Sequence, residues 1–513
     1  MTIQPAGTAV RRRWDRFWLR LHARLDGEAA DRVIPWAAAA VVFGLHLALA
    51  GAAVRSGTAG GGLAPWLQAA WDRAGHHVVD PVGGVDPARA SASLVGELVL
   101  QATRVVPATV VFTVVQSLAI AAAVVPLWRL ARERAALRVG ATSAIVAAYA
   151  LAPTVHQAGL TPFHPELIAL PLLLLAWLQA TREAWVRYWI VVVAALACRG
   201  DIGITVAAMG LLVAAQQHRR HGLATVVTGV AWSVAAQLVT DAEAPTEQLT
   251  PAGEFVARSV GPLAVLPRIA ADPLTELGGL FTEPSVQFVV VVLAPLLFLP
   301  LVSFRRFAPA LPGLAMAMIA DRVVAEAAGT GVLDLAPIAA HIGPSLAFTF
   351  VALVFALERI GQRSVVRVNV DRRVLGALLC GTVLFFLVES PSAPYHRPWD
   401  WGGRGRQAQV AEELAGLVPA GAPLAASPTA SALVAERATL VELPPTPVDL
   451  TPARLDSVVR RVDWVLLDTA GLDPLTDEPV WRADDVRSVL RRLDRAGFAE
   501  VERRLGVILL HRG

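Results

Sequence analysis

No lysine occurs in this 513-residue sequence, so all 45 basic side chains are arginines. That excludes a Ser/Lys dyad, and no Gly-rich phosphate loop, HExxH helix or GxSxG elbow stands in a suitable context. Cysteine is nearly absent too. Cys198 and Cys380 both lie in or beside apolar runs, which allows one disulfide at most and excludes a disulfide framework or a CxxC metal pair. Charge of either sign is scarce. Charged residues are 17% of the chain and the formal net charge is +3, too little over this length to point to nucleic acid.

What is there is apolar length. Hydrophobic residues make up 55% of the chain, which puts much of it in lipid. A helix needs roughly 20 apolar residues to cross the hydrocarbon core. Eleven runs are candidate spans: 33–54, 105–128, 139–157, 167–181, 188–199, 202–217, 222–240, 286–304, 307–320, 335–357 and 374–390. Three of them (188–199, 202–217 and 307–320) are short, as tilted, broken or re-entrant segments are.

Arginine placement orders the spans. With a cytoplasmic N-terminus, even-numbered spans return the chain to the cytoplasm at "RLARERAALR", "REAWVR", "HRRH", "RRF" and "ERIGQRSVVRVNVDRR". All are short and arginine-rich, as the positive-inside rule requires. Loops 55–104 and 241–285 and the corner "FHPE" then fall outside. Residues 1–32 read as an amphipathic segment on the cytoplasmic face, with Trp14, Phe17, Trp18, Leu21 and Leu25 at helical spacing. Its length and that of the apolar core behind it predict an uncleaved first span rather than a signal peptide. The membrane part covers 33–390. From 391 to 513 the pattern turns soluble: "PLAAS", "ATLVEL" and "DWVLLD" alternate with helical stretches such as "ADDVRSVLRRLDRAGF". This predicts a small α/β domain with a mainly parallel sheet, outside the membrane after an odd number of spans.

Ionisable groups at span ends and in outer loops are where chemistry is to be sought, because lipid tolerates charge poorly. Loop 55–104 carries Asp72, Asp80, Asp86 and Glu97 with the pair His76–His77. "FHPE" supplies His164 and Glu166, "CRGDIG" supplies Arg199 and Asp201, and "APIAAHIGPS" supplies His341. Each has a plainer reading. His76 and His77 fit a solvated loop, Glu166 a helix N-terminus whose dipole favours a carboxylate, Arg199 and Asp201 an ion pair closing a turn, and His341 a hydrogen-bonded membrane histidine.

The pieces "QSLAIAAAVVPLWRLAR", "YALAPTVHQAGLTPFHPELIALPLLLLAW" and "ACRGDIGITVAAMGLLVA" resemble a bacterial family of multispanning membrane proteins of unknown function, grouped with the GT-C glycosyltransferases. Of these, "FHPE" is the specific element. The resemblance implies a GT-C-like bundle with a cavity on the outer face, where a sugar passes from a polyprenyl-phosphate carrier to an acceptor. It implies an acidic base on the first outer loop, here Asp72, Asp80 or Asp86. It also implies a cation, arginine or a divalent metal, at the departing phosphate, with His164, Glu166, Arg199, Asp201 and His341 binding substrate. The chain departs from the family pattern in three places, one of them "ARASASLVGEL" where a histidine-containing segment is expected after the first loop. Gly62 stands where an aspartate of a "DLG"-type element is expected, and "CRGD" replaces a "KED"-like turn, so that Gly200 loses a carboxylate.

The expectation is therefore a polytopic α-helical protein of about eleven transmembrane helices in the bacterial cytoplasmic membrane. It handles a lipid-linked sugar for envelope glycan assembly. Two alternatives stand beside transfer: a catalytically degenerate relative that binds lipid-linked glycan or scaffolds envelope-assembly proteins, and a glycolipid transporter.

Overall fold

Proline cuts the apolar helices of this chain and glycine lets them touch. The computed structural model describes the chain apart from residues 1–26, 57–59, 83, 85, 161–162, 243–265, 329–341, 364–365, 397–405, 444–451 and 470–482. Most of the expected N-terminal amphipathic segment, and His341, lie outside the described residues.

The first apolar run forms α1 (Glu28–Ser56). The first long loop carries α2 (Gly60–Arg73), a single helical turn at Pro87–Ala90 and α3 (Leu94–Ala102), before the long α4 (Ala108–Arg134). The run at 139–157 is not one straight span but α5 (Val139–Leu151) and α6 (Pro153–Leu160), bent by 45°. Pro153 has no N–H to give back into α5, and it holds Ala152 extended at φ −61° and ψ 126°.

Next come α7 (Glu166–Thr181), α8 (Trp185–Leu196), α9 (Ile202–Gln216) and α10 (Arg219–Ala242). Gly203 and Gly210 on α9 face Gly229 and Gly222 on α10, each pair spaced seven residues apart. A Cβ on Gly203 would lie 2.3 Å from the Gly229 carbonyl, and one on Gly222 would lie 2.1 Å from the Ala214 nitrogen. Backbone therefore meets backbone, the contact that replaces hydrophobic drive where the solvent is lipid.

The run at 286–304 is broken as well. Helix α11 (Glu283–Leu293) passes into 3₁₀ turns around Pro295 and Pro300, with Leu297 and Phe298 at φ 52° and 54°. Helices α12 (Leu311–Ala328), α13 (Gly343–Ile360) and α14 (Arg372–Glu389) complete the bundle. Each of the eleven predicted runs has its helical segment. Among the described residues four helices (α1, α4, α10 and α13) are long and apolar enough to cross a membrane, or six spans if each bent pair counts as one. Helices α7, α8 and α9 are shorter. The main core includes Trp128, Tyr149, Trp177, Tyr188, Phe348 and Phe350.

The arginine-rich loops meet one another. Arg132 donates to Asp31 (2.6 Å), Arg367 donates to the Arg132 carbonyl (2.7 Å), and Arg182 pairs with Glu133 (2.5 Å). A short hairpin of β1 (Gln362–Arg363) and β2 (Val368–Asn369) lies there too, its Val368 bridged to Leu137.

The C-terminal part is a five-stranded sheet, built from β3 (Leu424–Ala426), β4 (Leu440–Glu442), β5 (Trp464–Asp468), β6 (Phe498–Arg504) and β7 (Val507–Arg512) in the order β4-β3-β5-β7-β6. It is mixed, not mainly parallel. β3 pairs in parallel with β4 and β5, whereas β7 pairs antiparallel with β5 and β6. Leu505 and Gly506, at φ 48° and 82°, make a two-residue turn whose twist matches a hairpin, so β7 has to fold back beside β6.

This sheet domain is docked on the first long loop. The backbone nitrogens of Val79 and Asp80 donate to the Ala438 carbonyl (2.8 and 3.0 Å). Buried Gln68 donates to the Arg437 carbonyl (2.9 Å) and accepts from Val82 N (2.7 Å). Ala64 and Val82 join the apolar cluster beneath Leu424, Leu440 and Leu466.

Candidate functional site

The corner before α7 and the turn before α9 are 33 residues apart in sequence and adjacent in space. Phe163 enters the corner by packing edge-on against Trp66 (4.9 Å between rings) and stacking on Phe112 (5.0 Å). Gln116 of α4 fixes the backbone there. Its side chain accepts from His164 N (2.9 Å) and donates to the Ala158 carbonyl (3.1 Å).

The second turn is held from both sides. Loop one supplies Ser93 Oγ to the Cys198 carbonyl (2.6 Å), Val95 N to the Ala197 carbonyl (3.0 Å), and the Ser91 carbonyl to Gly200 N (3.0 Å). From α10, Trp232 Nε1 donates to the Arg199 carbonyl (3.3 Å) and Ser233 Oγ to that of Gly200 (3.4 Å). The glycine contacts between α9 and α10 bring those donors close enough.

The side chains then form one charged row. Arg199 Nη1 donates to Glu166 Oε1 (2.6 Å), Arg199 Nε lies 3.3 Å from Asp201 Oδ1, and His164 Nδ1 lies 3.4 Å from Glu166 Oε1. Glu166 and Arg199 are 1% and 5% exposed, so neither charge is compensated by water. His164 is the wettest of the four, at 24%. The Asp201 carboxyl sits between α8 and α9. Burial pushes it up to about 6 against the pull of Arg199, and Glu166 adds to the rise.

Each of the three loop-one aspartates has partners of its own. Asp72 accepts from Val78 N (3.2 Å) beside Arg73. Asp80 is ion-paired with Arg461 of the sheet domain. Asp86 caps a short helix through Ala88 N and Arg89 N (3.0 and 3.1 Å) and pairs with Arg73. Arg73 also binds Glu97 (2.8 Å), and this pairing holds the Glu97 carboxyl below its ordinary value. His76 stacks on Trp71 with ring centres 4.4 Å apart.

Among the described residues no three His, Cys, Asp or Glu side chains are gathered to hold a metal ion. The Arg199 guanidinium occupies the place between Glu166 and Asp201 where a divalent cation would be held, so the residues present do not fit one. Sequence reasoning passed over Gln68, Arg73 and Gln116. Arg73 carried a signal: the positive-inside reading puts it in a loop where arginine is expected to be rare. Uncharged Gln116, inside an apolar run, carried none.

Apolar helices with a charged row at one end and a sheet domain on the loop beside it define a multispanning membrane protein. Residues 98–509 match the family described as predicted membrane protein (DUF2079), and the chain belongs to that family. No curated protein matches the sequence. Among solved structures the chain is similar to ArnT from Cupriavidus metallidurans bound to undecaprenyl phosphate, with 12% identity, a TM-score of 0.48 and coverage of 95% of this chain and 99% of that one. It is also similar to the Archaeoglobus fulgidus oligosaccharyltransferase in complex with zinc and sulfate, with 15% identity, a TM-score of 0.41 and coverage of 82% and 68%.

Proposed function

We propose that this protein is a GT-C-like glycosyltransferase of the cytoplasmic membrane that takes a polyprenyl-phosphate-linked sugar at the outer face. The observation that carries the reading is the buried row His164–Glu166–Arg199–Asp201, built from two separate turns and kept at one end of an apolar bundle. Lipid-linked substrates present an anionic phosphate at that depth, and a guanidinium suits it because it bonds two phosphate oxygens at once. In this reading Arg199 exchanges part of its pairing with Glu166 for the phosphate. His164, Glu166 and Asp201 line the acceptor side.

The transfer step breaks the bond from the anomeric carbon to the phosphate oxygen as the acceptor hydroxyl oxygen attacks that carbon. Carrier phosphate leaves with the electron pair, stabilised by Arg199, and the hydroxyl proton passes to a loop-one carboxylate. Asp72 is the best placed of the three by exposure: its side chain is 36% accessible, against 23% for Asp80 and 19% for Asp86. The outer-face assignment rests on the arginine-rich loops, which lie together and away from this row.

One observation favours a second reading. All three loop-one aspartates already hold structural partners, as expected of a relative that binds lipid-linked glycan, or scaffolds envelope enzymes, without transferring sugar. The deciding experiment is a correctly inserted Glu166→Gln/Asp201→Asn double variant in the native host. Loss of envelope glycan assembly is expected, and unchanged assembly refutes the catalytic reading. Turnover of any polyprenyl-phosphate sugar by the purified protein rules out the second.

A further inference from the structure

Helix α10 carries its charges at the wrong end. Arg219 and Arg220 are exposed in its first turn, with His218 before them and His221 after, and no acid shares that turn. The N-terminal end of a helix is its positive end, so a cation there costs stability unless an anion lies beside it. Arginines of the neighbouring loops have such anions: Arg132 is paired with Asp31, Arg182 with Glu133 and Arg363 with Glu358. Among the described residues Arg219 and Arg220 have no carboxylate partner. The positive-inside pattern accounts for arginine in this loop, but not for its place on the helix.

Both arginines head the exposed face of α10. Leu223, Val227, Val230 and Val234 follow Arg219 at helical spacing, and all four are exposed. Beside this face α8 supplies an aromatic wall. Trp185 stacks on His221 with ring centres 4.2 Å apart, and Trp189 Nε1 donates to His221 Nδ1 (3.2 Å). One turn deeper the buried hydroxyls of Tyr188 and Thr225 bond across the same two helices (2.7 Å). Tryptophan sits at headgroup level in a bilayer, and guanidinium groups there attract anionic lipid. A phospholipid fits both halves of this surface, with its phosphate at the helix start and its acyl chains along the apolar stripe. We propose that the start of α10 binds the headgroup of an anionic phospholipid, drawn from the leaflet at the arginine-rich end of the bundle. The proposal is independent of the polyprenyl-phosphate reading above.

The test uses the full-length protein in detergent micelles, titrated with phosphatidylglycerol or with phosphatidylcholine of the same acyl chains. Bound lipid is counted by native mass spectrometry. Phosphatidylglycerol should bind about tenfold more tightly than phosphatidylcholine. Arg219→Gln and Arg220→Gln should each weaken phosphatidylglycerol binding about fivefold and leave phosphatidylcholine within about twofold. Arg187→Gln is the control. Arg187 is exposed at the same end of the bundle, but it stands two residues past Trp185 and so on another side of α8. Its loss should change phosphatidylglycerol binding by no more than about twofold. Without anionic lipid, the two α10 variants should melt no lower than the wild type, because each removes a charge that opposes the helix dipole. The proposal is overturned if the two lipids bind alike, if Arg187→Gln costs as much as the α10 variants, or if those variants melt lower in the absence of anionic lipid. Displacement of phosphatidylglycerol by inorganic phosphate also overturns it, by making the start of α10 a site for the free anion.

Discussion

Arg199 Nη1 lies 2.6 Å from Glu166 Oε1, and the two side chains are buried almost completely where the start of α7 meets the turn before α9. A buried pair of this kind is costly to break from one side only. Arg199→Met strands Glu166 and Asp201 without their cation and should destabilise the protein by about 3–5 kcal/mol. Adding Glu166→Gln to Arg199→Met removes one of the stranded charges and should recover part of the loss. Thermal melts of the purified variants check this, and a double variant no more stable than Arg199→Met contradicts the pairing.

The glycine seam between α9 and α10 makes a second prediction. Gly203→Val and Gly229→Val drive a side chain into backbone atoms that cannot move aside, and neither variant should accumulate as folded protein. Gly44, inside α1, has nothing within 4 Å of its absent Cβ. Gly44→Ala should be neutral or should stabilise by up to about 1 kcal/mol, since alanine favours the helix. The yield of monodisperse protein after detergent extraction checks the two valine variants, and a detergent melting profile checks Gly44→Ala.

Docking of the sheet domain should depend on Gln68 far more than on Asp80. Gln68 is buried and serves two backbone groups, so Gln68→Leu leaves the Arg437 carbonyl and Val82 N without partners at a cost of about 1–3 kcal/mol. Asp80 and Arg461 are partly exposed, and Asp80→Asn should cost less than about 1 kcal/mol. Hydrogen exchange at residues 438–442 reports the difference. Faster exchange in the Asp80 variant than in the Gln68 variant runs against this ranking.

Much of this was legible in the sequence, for physical reasons. Apolar runs and arginine-rich loops are one-dimensional consequences of lipid, and so the helical segments and the grouping of loops could be read directly. Charge at the lip of an apolar run is rare enough that Glu166, Arg199 and Asp201 stood out singly, and their meeting followed from being on the same side. Bends were harder. Pro153 and Pro295 lie inside runs that hydropathy alone scores as continuous. Gln68 and Gln116 hold the loops through backbone groups, and nothing about an isolated glutamine announces such a role. The antiparallel half of the sheet depended on two residues, Leu505 and Gly506, that sit between strands too alike to rank.

A pH dependence follows from Glu97. Its hydrogen bond with Arg73 lowers the folded carboxyl below its ordinary 4.5, so the unfolded chain takes up this proton at a higher pH than the folded one does. The stabilisation is complete above 4.5 and is lost as pH falls through the lower folded value. The melting temperature of Glu97→Gln should therefore lie below that of the wild type at pH 6 to 7 and converge with it in acid. A gap that persists unchanged to about pH 3 contradicts the sign.

Whether the charged row faces away from the cytoplasm is tested most directly by labelling single cysteines in intact spheroplasts with a membrane-impermeant maleimide, after Cys380→Ser. Val79→Cys on the first loop and Val501→Cys on the sheet are exposed positions on the side of the row, and Arg363→Cys is an exposed position among the arginine-rich loops. The first two should label in intact spheroplasts and the third only after permeabilisation. The reverse pattern would place Glu166, Arg199 and Asp201 on the cytosolic side and contradict an outer-face site.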